Sequence, residues 1–182
     1  MRGSADRAGI ASAFHNLANV AYEQGDFTSA RVLNSESMVI RQELGHRAGI
    51  ADLLDDLGNL TFEEGNYPRA TTLFKESLAI RRELGDRKAI ATADSGLAAV
   101  VSALGGHLHA ARIWGAVEHL REEVGSLMSP RDRYRRDRRV TAARALLKDD
   151  DAFDRAWAEG RALTLEQALE FALENAGLDR AP

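Results

Sequence analysis

The sequence predicts an all-α fold, a solenoid of stacked helix pairs, and three observations carry that prediction. The first is self-similarity at an offset of 40 residues. Ile10, Ile50 and Ile90 align, as do Leu17, Leu57 and Leu97, then Gly25, Gly65 and Gly105, Ala30, Ala70 and Ala110, and Gly45, Gly85 and Gly125. A period of roughly 20–50 residues marks a stacked repeat architecture, in which each unit buries its apolar face only against its neighbours. The second is composition: only 3 prolines interrupt 182 residues rich in Ala, Leu, Glu and Arg, which favours helix throughout. The third is spacing, because apolar residues within each unit recur every three or four positions, the helical period.

Each 40-residue unit reads as two antiparallel helices. In the first unit a helix from about Asp6 to Gln24 carries Ile10, Phe14, Leu17, Ala18 and Ala21 on one face. Gly25 then takes the positive φ that ends it, and Asp26 caps the next helix by accepting from its first free amides. That second helix buries Phe27, Ala30, Leu33, Ser37 and Ile40 and stops at Gly45. The second unit repeats the design with Gly65, Asn66 as cap and Tyr67-Pro68 in the first turn, where proline costs little. Its stripe is Ala70, Leu73, Phe74, Ser77 and Ile80; the third unit turns at Gly105-Gly106 and carries Ala110, Ile113, Trp114 and Val117.

Beyond Gly125 the period is lost. Helices are expected near Asp132–Leu147, near Asp151–Glu159, and from Thr164, where Gln167 completes a Thr-x-x-Gln capping box. The organisation is therefore a leader over 1–5, three repeats over 6–45, 46–85 and 86–125, and a helical cap over 126–182. A solenoid needs such an end cap, since its last unit would otherwise present an apolar face to water. Trp114, Trp157, Leu165 and Phe171 are the candidate capping core.

Composition narrows the function. The chain has no cysteine, which removes disulfides, thiolate catalysis and cysteine-ligated zinc and points to a reducing cytoplasm. No apolar run approaches the ~20 residues of a membrane span. The net charge of −4 argues against direct nucleic-acid binding. The basic residues of the tail cluster between Arg131 and Arg139, six arginines interrupted by Asp132 and Asp137. That pattern reads as a solvated, salt-bridged helix rather than a phosphate-binding surface. No metal-ligand spacing or nucleophile–base arrangement emerges, so neither a metal, nor a cofactor, nor catalysis is expected.

Leu57-Gly58, Gly65 with Tyr67, Ala70 and Phe74 stand at the spacing of the tetratricopeptide repeat, which each unit resembles. The 40-residue length is similar to the subtype with lengthened helices found in Leu-Gly-Asn repeat proteins and bacterial regulators; Leu57-Gly58-Asn59 is literal here. The segments Ala110–Ala116 and Ala156–Leu165 resemble the C-terminal end of bacterial signalling ATPases and helix-turn-helix regulators. This chain has no Gly-x-x-x-x-Gly-Lys-[Ser/Thr] phosphate loop and no recognisable DNA-reading helix pair. The resemblance implies a right-handed α-solenoid whose first helices line a concave groove. It carries the inward positions onto Ser12, His15, Asn19, Tyr22 and Glu23 of the first unit, and onto Asp52, Asp55, Asn59, Phe62 and Glu63 of the second.

The expected function is a non-catalytic protein–protein interaction module that grips a peptide or partner helix, with Asp52, Asp55 and Glu63 favouring a basic ligand. It would be the regulatory or sensor part of a bacterial signalling or transcription-regulating system. A plain amphipathic helix would also place polar residues on this face. Two rivals remain open: a homo-oligomerisation scaffold forming a homodimer, and a small-molecule sensor coupled to a separate ATPase or DNA-binding module. The third unit places small residues (Ser95, Gly96, Ala99, Ser102, Ala103) on the same surface, which predicts close packing by the C-terminal helices or a second subunit.

Overall fold

The computed structural model describes residues 2–175, and their side chains except at 2–5, 87, 91–94, 165 and 169. Among the described residues there are nine helices and no strand: α1 Arg2–Glu23, α2 Phe27–Glu43, α3 Arg47–Glu63, α4 Tyr67–Leu84, α5 Arg87–Ala103, α6 His107–Glu123, α7 Pro130–Leu147, α8 Asp150–Arg161 and α9 Leu165–Asn175. The chain is an all-α helical-repeat protein. Helix α1 begins at Arg2, inside the segment expected as a leader.

The turns are near copies of one another. Gly25, Gly45, Gly65, Gly85, Gly105 and Gly125 all have positive φ, between 60° and 92°. At the first of them Gly25 donates to the Tyr22 carbonyl and Asp26 to that of Ala21, which satisfies two carbonyls the helix end leaves free. The same pair of bonds recurs at Gly45, Gly65, Gly105 and Gly125. Three of the following helices start under a side-chain cap: Asp26, Asn66 and Asp86 accept from Ser29 N, Arg69 N and Ala89 N at 3.0, 3.2 and 3.0 Å, whereas His46 before α3 and Gly106 before α6 make no such bond.

The chain forms two compact bodies, Met1–Leu84 and Gly85–Pro182. In the first, α1 packs on α2, α2 on α3, and α3 on α4. Ser37 donates to the Ala11 carbonyl at 2.8 Å, and 40 residues later Ser77 donates to that of Ala51 at 3.0 Å. A small hydroxyl there lets the two helices of a pair approach closely while satisfying its own polar group. Gly58 serves the α3–α4 crossing, since an added Cβ would stand 2.7 Å from the Phe74 ring. Leu60 is buried with Ala21 and Ala30, flanked by Tyr22, Phe27, Leu33 and Leu57. The stripe expected on α1 is only partly inward: Ala18 and Ala21 are buried, whereas Ile10 and Leu17 are exposed. Those two positions belong to the face a preceding pair would cover.

In the second body the C-terminal helices pack on the third pair, with α7, α8 and α9 all against α6, and α7 and α9 also against α5. The α6–α8 crossing is the tightest. A Cβ on Gly115 would overlap the Trp157 carbonyl, and one on Gly160 would overlap that of Arg112. The buried core here is Trp114, Ile113, Phe153, Ala156, Ala168 and Ala172. Two expected members sit differently. Trp157 is half-buried and uses its indole N–H to reach Glu118 Oε2 at 2.9 Å, and Phe171 is half-buried between His109 and the Arg112 guanidinium. The Leu165 side chain lies outside the described residues. Thr164 and Gln167 form both bonds of the capping box, at 2.9 and 3.3 Å.

Candidate functional site

The residues expected to face a partner lie on α1 and α3 of the first body, and a chain of buried charge joins their neighbourhoods. Arg41 on α2 is buried; its guanidinium donates to the Gly49 carbonyl at 2.7 Å and to His15 Nδ1 at 3.1 Å. A guanidinium has only donors, so His15 Nδ1 accepts and Nε2 carries the proton. That N–H points at Asp56 Oδ2, 2.6 Å away. Arg81 on α4 occupies the same place 40 residues later. It donates from Nε to Ser77 Oγ at 3.1 Å and from Nη2 to Asp52 Oδ1 at 3.1 Å and to Asp55 Oδ2.

Asp55 is the deepest charge of this network. Burial pushes its carboxyl up to about 6, against the pull of the Arg81 guanidinium. Its second oxygen, Oδ1, is buried without a hydrogen-bond donor, which is the local reason burial outweighs the ion pair. The same two carboxylates, Asp55 then Asp52, hold the Arg81 proton more tightly than usual, although its own burial works the other way.

The ten expected positions thus divide. Asp55 and Asn59 are buried, and Asn59 Nδ2 is spent on the Asp55 carbonyl at 2.8 Å. His15 is half-buried between Arg41 and Asp56. Ser12 and Glu23 are exposed; Ser12 Oγ donates back to the Ala8 carbonyl at 3.0 Å. Asn19, Tyr22, Phe62 and Glu63 are half-buried and Asp52 is exposed. Tyr22 spans the two helices by donating to Glu63 Oε1 at 3.3 Å, and each aromatic is tilted against the ring that opens the next helix, Phe27 at 5.5 Å and Tyr67 at 5.4 Å.

What the sequence reading missed is Arg41, Arg81 and Arg121. They stand at the 40-residue period and all three are buried. That recurrence was a usable signal, since arginine is rarely buried unless paired. In the second body, burial lowers the affinity of Arg121 for its proton; Asp132 of α7 opposes that and Arg136 adds to it. The arginine-rich helix α7 is ion-paired as expected: Arg135 bonds Asp132, Arg136 bonds Asp137 at 2.7 Å, and Arg144 reaches Asp154 at 2.6 Å. The small-residue surface of α5 is packed ground at Gly96, Ala99 and Ser102, while Ala103 is exposed. His107 is engaged by Ser102 Oγ at 3.1 Å and His109 meets the Phe171 ring edge-on. Among the described residues no group of three His, Asp or Glu side chains could hold a metal ion. Nor is any helix among them long and apolar enough to cross a membrane.

Residues 9–83 match the tetratricopeptide repeat family. Over that span, the first two helix pairs, the chain is similar to tetratricopeptide repeats. Over 86 residues, 47% of its length, it is 34% identical to proteins named as candidate HTH-type transcriptional regulators in Mycobacterium bovis and in two strains of Mycobacterium tuberculosis. The chain spans about a tenth of these relatives' length. The tetratricopeptide family suggests a protein-interaction module, and the relatives' names point to transcription regulation.

Proposed function

We propose that the α1–α3 face is a non-catalytic docking surface for a peptide or helix bearing Lys or Arg, within a bacterial regulator of transcription. The observation that carries this reading is the division of the ten residues. Buried Arg41 holds the His15 ring of α1 and the Gly49 carbonyl of α3, and buried Arg81 holds Asp52 and Asp55 of α3, while Ser12, Asn19, Tyr22, Glu23, Asp52, Phe62 and Glu63 remain exposed or half-buried. Two aromatics among three carboxylates suit an amphipathic basic ligand. Rings supply apolar area and cation–π contact, and carboxylates supply charge. Holding the site from behind limits the ordering cost of binding. The relatives' names favour a regulatory setting over a purely structural one.

Selection from a displayed library of random peptides tests this directly. Enriched sequences should carry Lys or Arg beside an apolar residue and should lose binding to a Glu23→Lys variant. Enrichment of acidic or uncharged peptides, bound equally by both proteins, would contradict it.

A further inference from the structure

The end of α6, the connecting segment 124–129 and the start of α7 frame a cavity of about 450 Å³ in the second body. Small-molecule pockets run to roughly 300–1,000 Å³, so this one has room for a ligand. Three arginines line it: Arg121 from α6, and Arg133 and Arg136 from α7. Arg121 is 8% exposed, so its charge is largely out of water. Burial loosens its hold on its proton; Asp132 opposes that, and Arg136 adds to the loss. In the second helix pair the buried arginine, Arg81, is answered by Asp55. Forty residues on, the place of Asp55 is taken by Ser95, which carries no charge.

The carboxylates around the cavity are committed to other groups. Glu118 Oε2 accepts from Trp157 Nε1 and Arg161 Nη1, each at 2.9 Å, and Glu122 accepts from both terminal nitrogens of Arg161 at 3.1 and 2.6 Å. Asp132 accepts from Ser129 Oγ at 2.7 Å and from Arg135. Arg136 gives Nε and Nη2 to Asp137. Arg133 is exposed, and among the described residues it makes no ion pair or hydrogen bond. Its charge is available to a ligand. On the same walls Ser126 offers a hydroxyl, and Leu127, 92% exposed, forms an apolar edge with Met128.

We propose that this cavity binds a small phosphate monoester, its phosphoryl group held by Arg133 and Arg136 with Arg121 as the buried member of the set. A carboxylate presents two oxygens, which one guanidinium fork matches. A monoester presents three and carries close to two negative charges at neutral pH, which suits three arginines. Such a dianion also relieves the repulsion between Arg121 and Arg136, while Leu127 and Met128 cover its organic part. A nucleic acid needs a track of available cations. Along α7, by contrast, Arg131, Arg135 and Arg144 are all paired with aspartates. The inference does not rest on the basic-ligand surface of the first body.

The test titrates the full chain with glycerol 3-phosphate at constant ionic strength and follows its amide chemical shifts. Binding should saturate, with the shifts concentrated in residues 118–136. Arg133→Gln should weaken it about tenfold or more, through loss of a charge-assisted bond. That side chain is exposed, so helicity and thermal midpoint should not change. Arg138→Gln removes the same charge from the same helix outside the cavity and should leave the affinity as it is. Glutarate, a dianion built of two carboxylates, should bind about tenfold more weakly than the phosphate. Three results would overturn the proposal: a titration that does not saturate, equal losses from the two substitutions, or glutarate binding as tightly as glycerol 3-phosphate. The second would reveal general surface charge, and the third a carboxylate site.

Discussion

Two buried arginines, Arg41 and Arg81, do most to shape the candidate surface, because each ties a second helix of a pair to the polar face of the first helices. Removing one partner of such a pair leaves the other buried and uncompensated, so Arg81→Met should cost about 3–5 kcal/mol in urea unfolding. A loss within about 0.5 kcal/mol, the range of ordinary surface changes, would mean Arg81 is not the anchor described. Asp55 gives the network a pH dependence. Its folded carboxyl titrates near 6 against an ordinary 3.8, so the folded state binds that proton more tightly than the unfolded chain. Its contribution to stability is therefore full below about 3.8 and is lost as pH rises through about 6. Measured against Asp55→Asn, the native protein should lose relative stability between those values and run parallel above them. Parallel curves throughout would show that Asp55 is not held in this state. Burial of Asp55 and the bond from buried Arg81 to Asp52 rule out reversing either charge to probe binding; exposed Glu23 is the position to change.

The helices themselves were legible in the sequence, since the 40-residue register, turn glycines and Asp caps are local signals that need no tertiary knowledge. The pairs start and stop within a few residues of the expected bounds for that reason. Less legible was which member of an amphipathic stripe is covered. Ile10 and Leu17 have the same periodicity as Ile50 and Leu57, and only the presence of a neighbouring pair separates exposed from packed. The cap shows the same limit. Trp157 is larger than Phe153, yet Phe153 is fully buried, whereas Trp157 is half-buried, with its carbonyl against Gly115 and its indole bonded to Glu118. Phe153→Ala should therefore cost about 3–5 kcal/mol, and Trp157→Ala clearly less; the reverse order in thermal or urea unfolding would contradict this packing. At the α6–α8 crossing Gly160→Ala puts a methyl on the Arg112 carbonyl, so a loss of at least about 1–3 kcal/mol is expected. A neutral substitution would show that the helices are farther apart.

At the scale of the molecule, the third helix pair differs from the first two. The third pair is covered by α7, α8 and α9, and the polar residues of α5 give way to small ones that those helices approach. The first two pairs keep carboxylates, aromatics and an amide on the equivalent face. Resemblance to the tetratricopeptide family implied that face. It did not tell exposed residues from buried ones, because Asp52 and Asp55 differ by less than one helical turn while one is exposed and the other buried. The most direct test of the central claim is quantitative affinity capture from a lysate of the source cell, comparing the native chain with Glu23→Lys, matched in helicity and thermal midpoint. The account predicts a protein retained by the native chain, released by moderate salt and lost from the variant. Equal recovery by both would place the working surface elsewhere on the molecule and contradict the account.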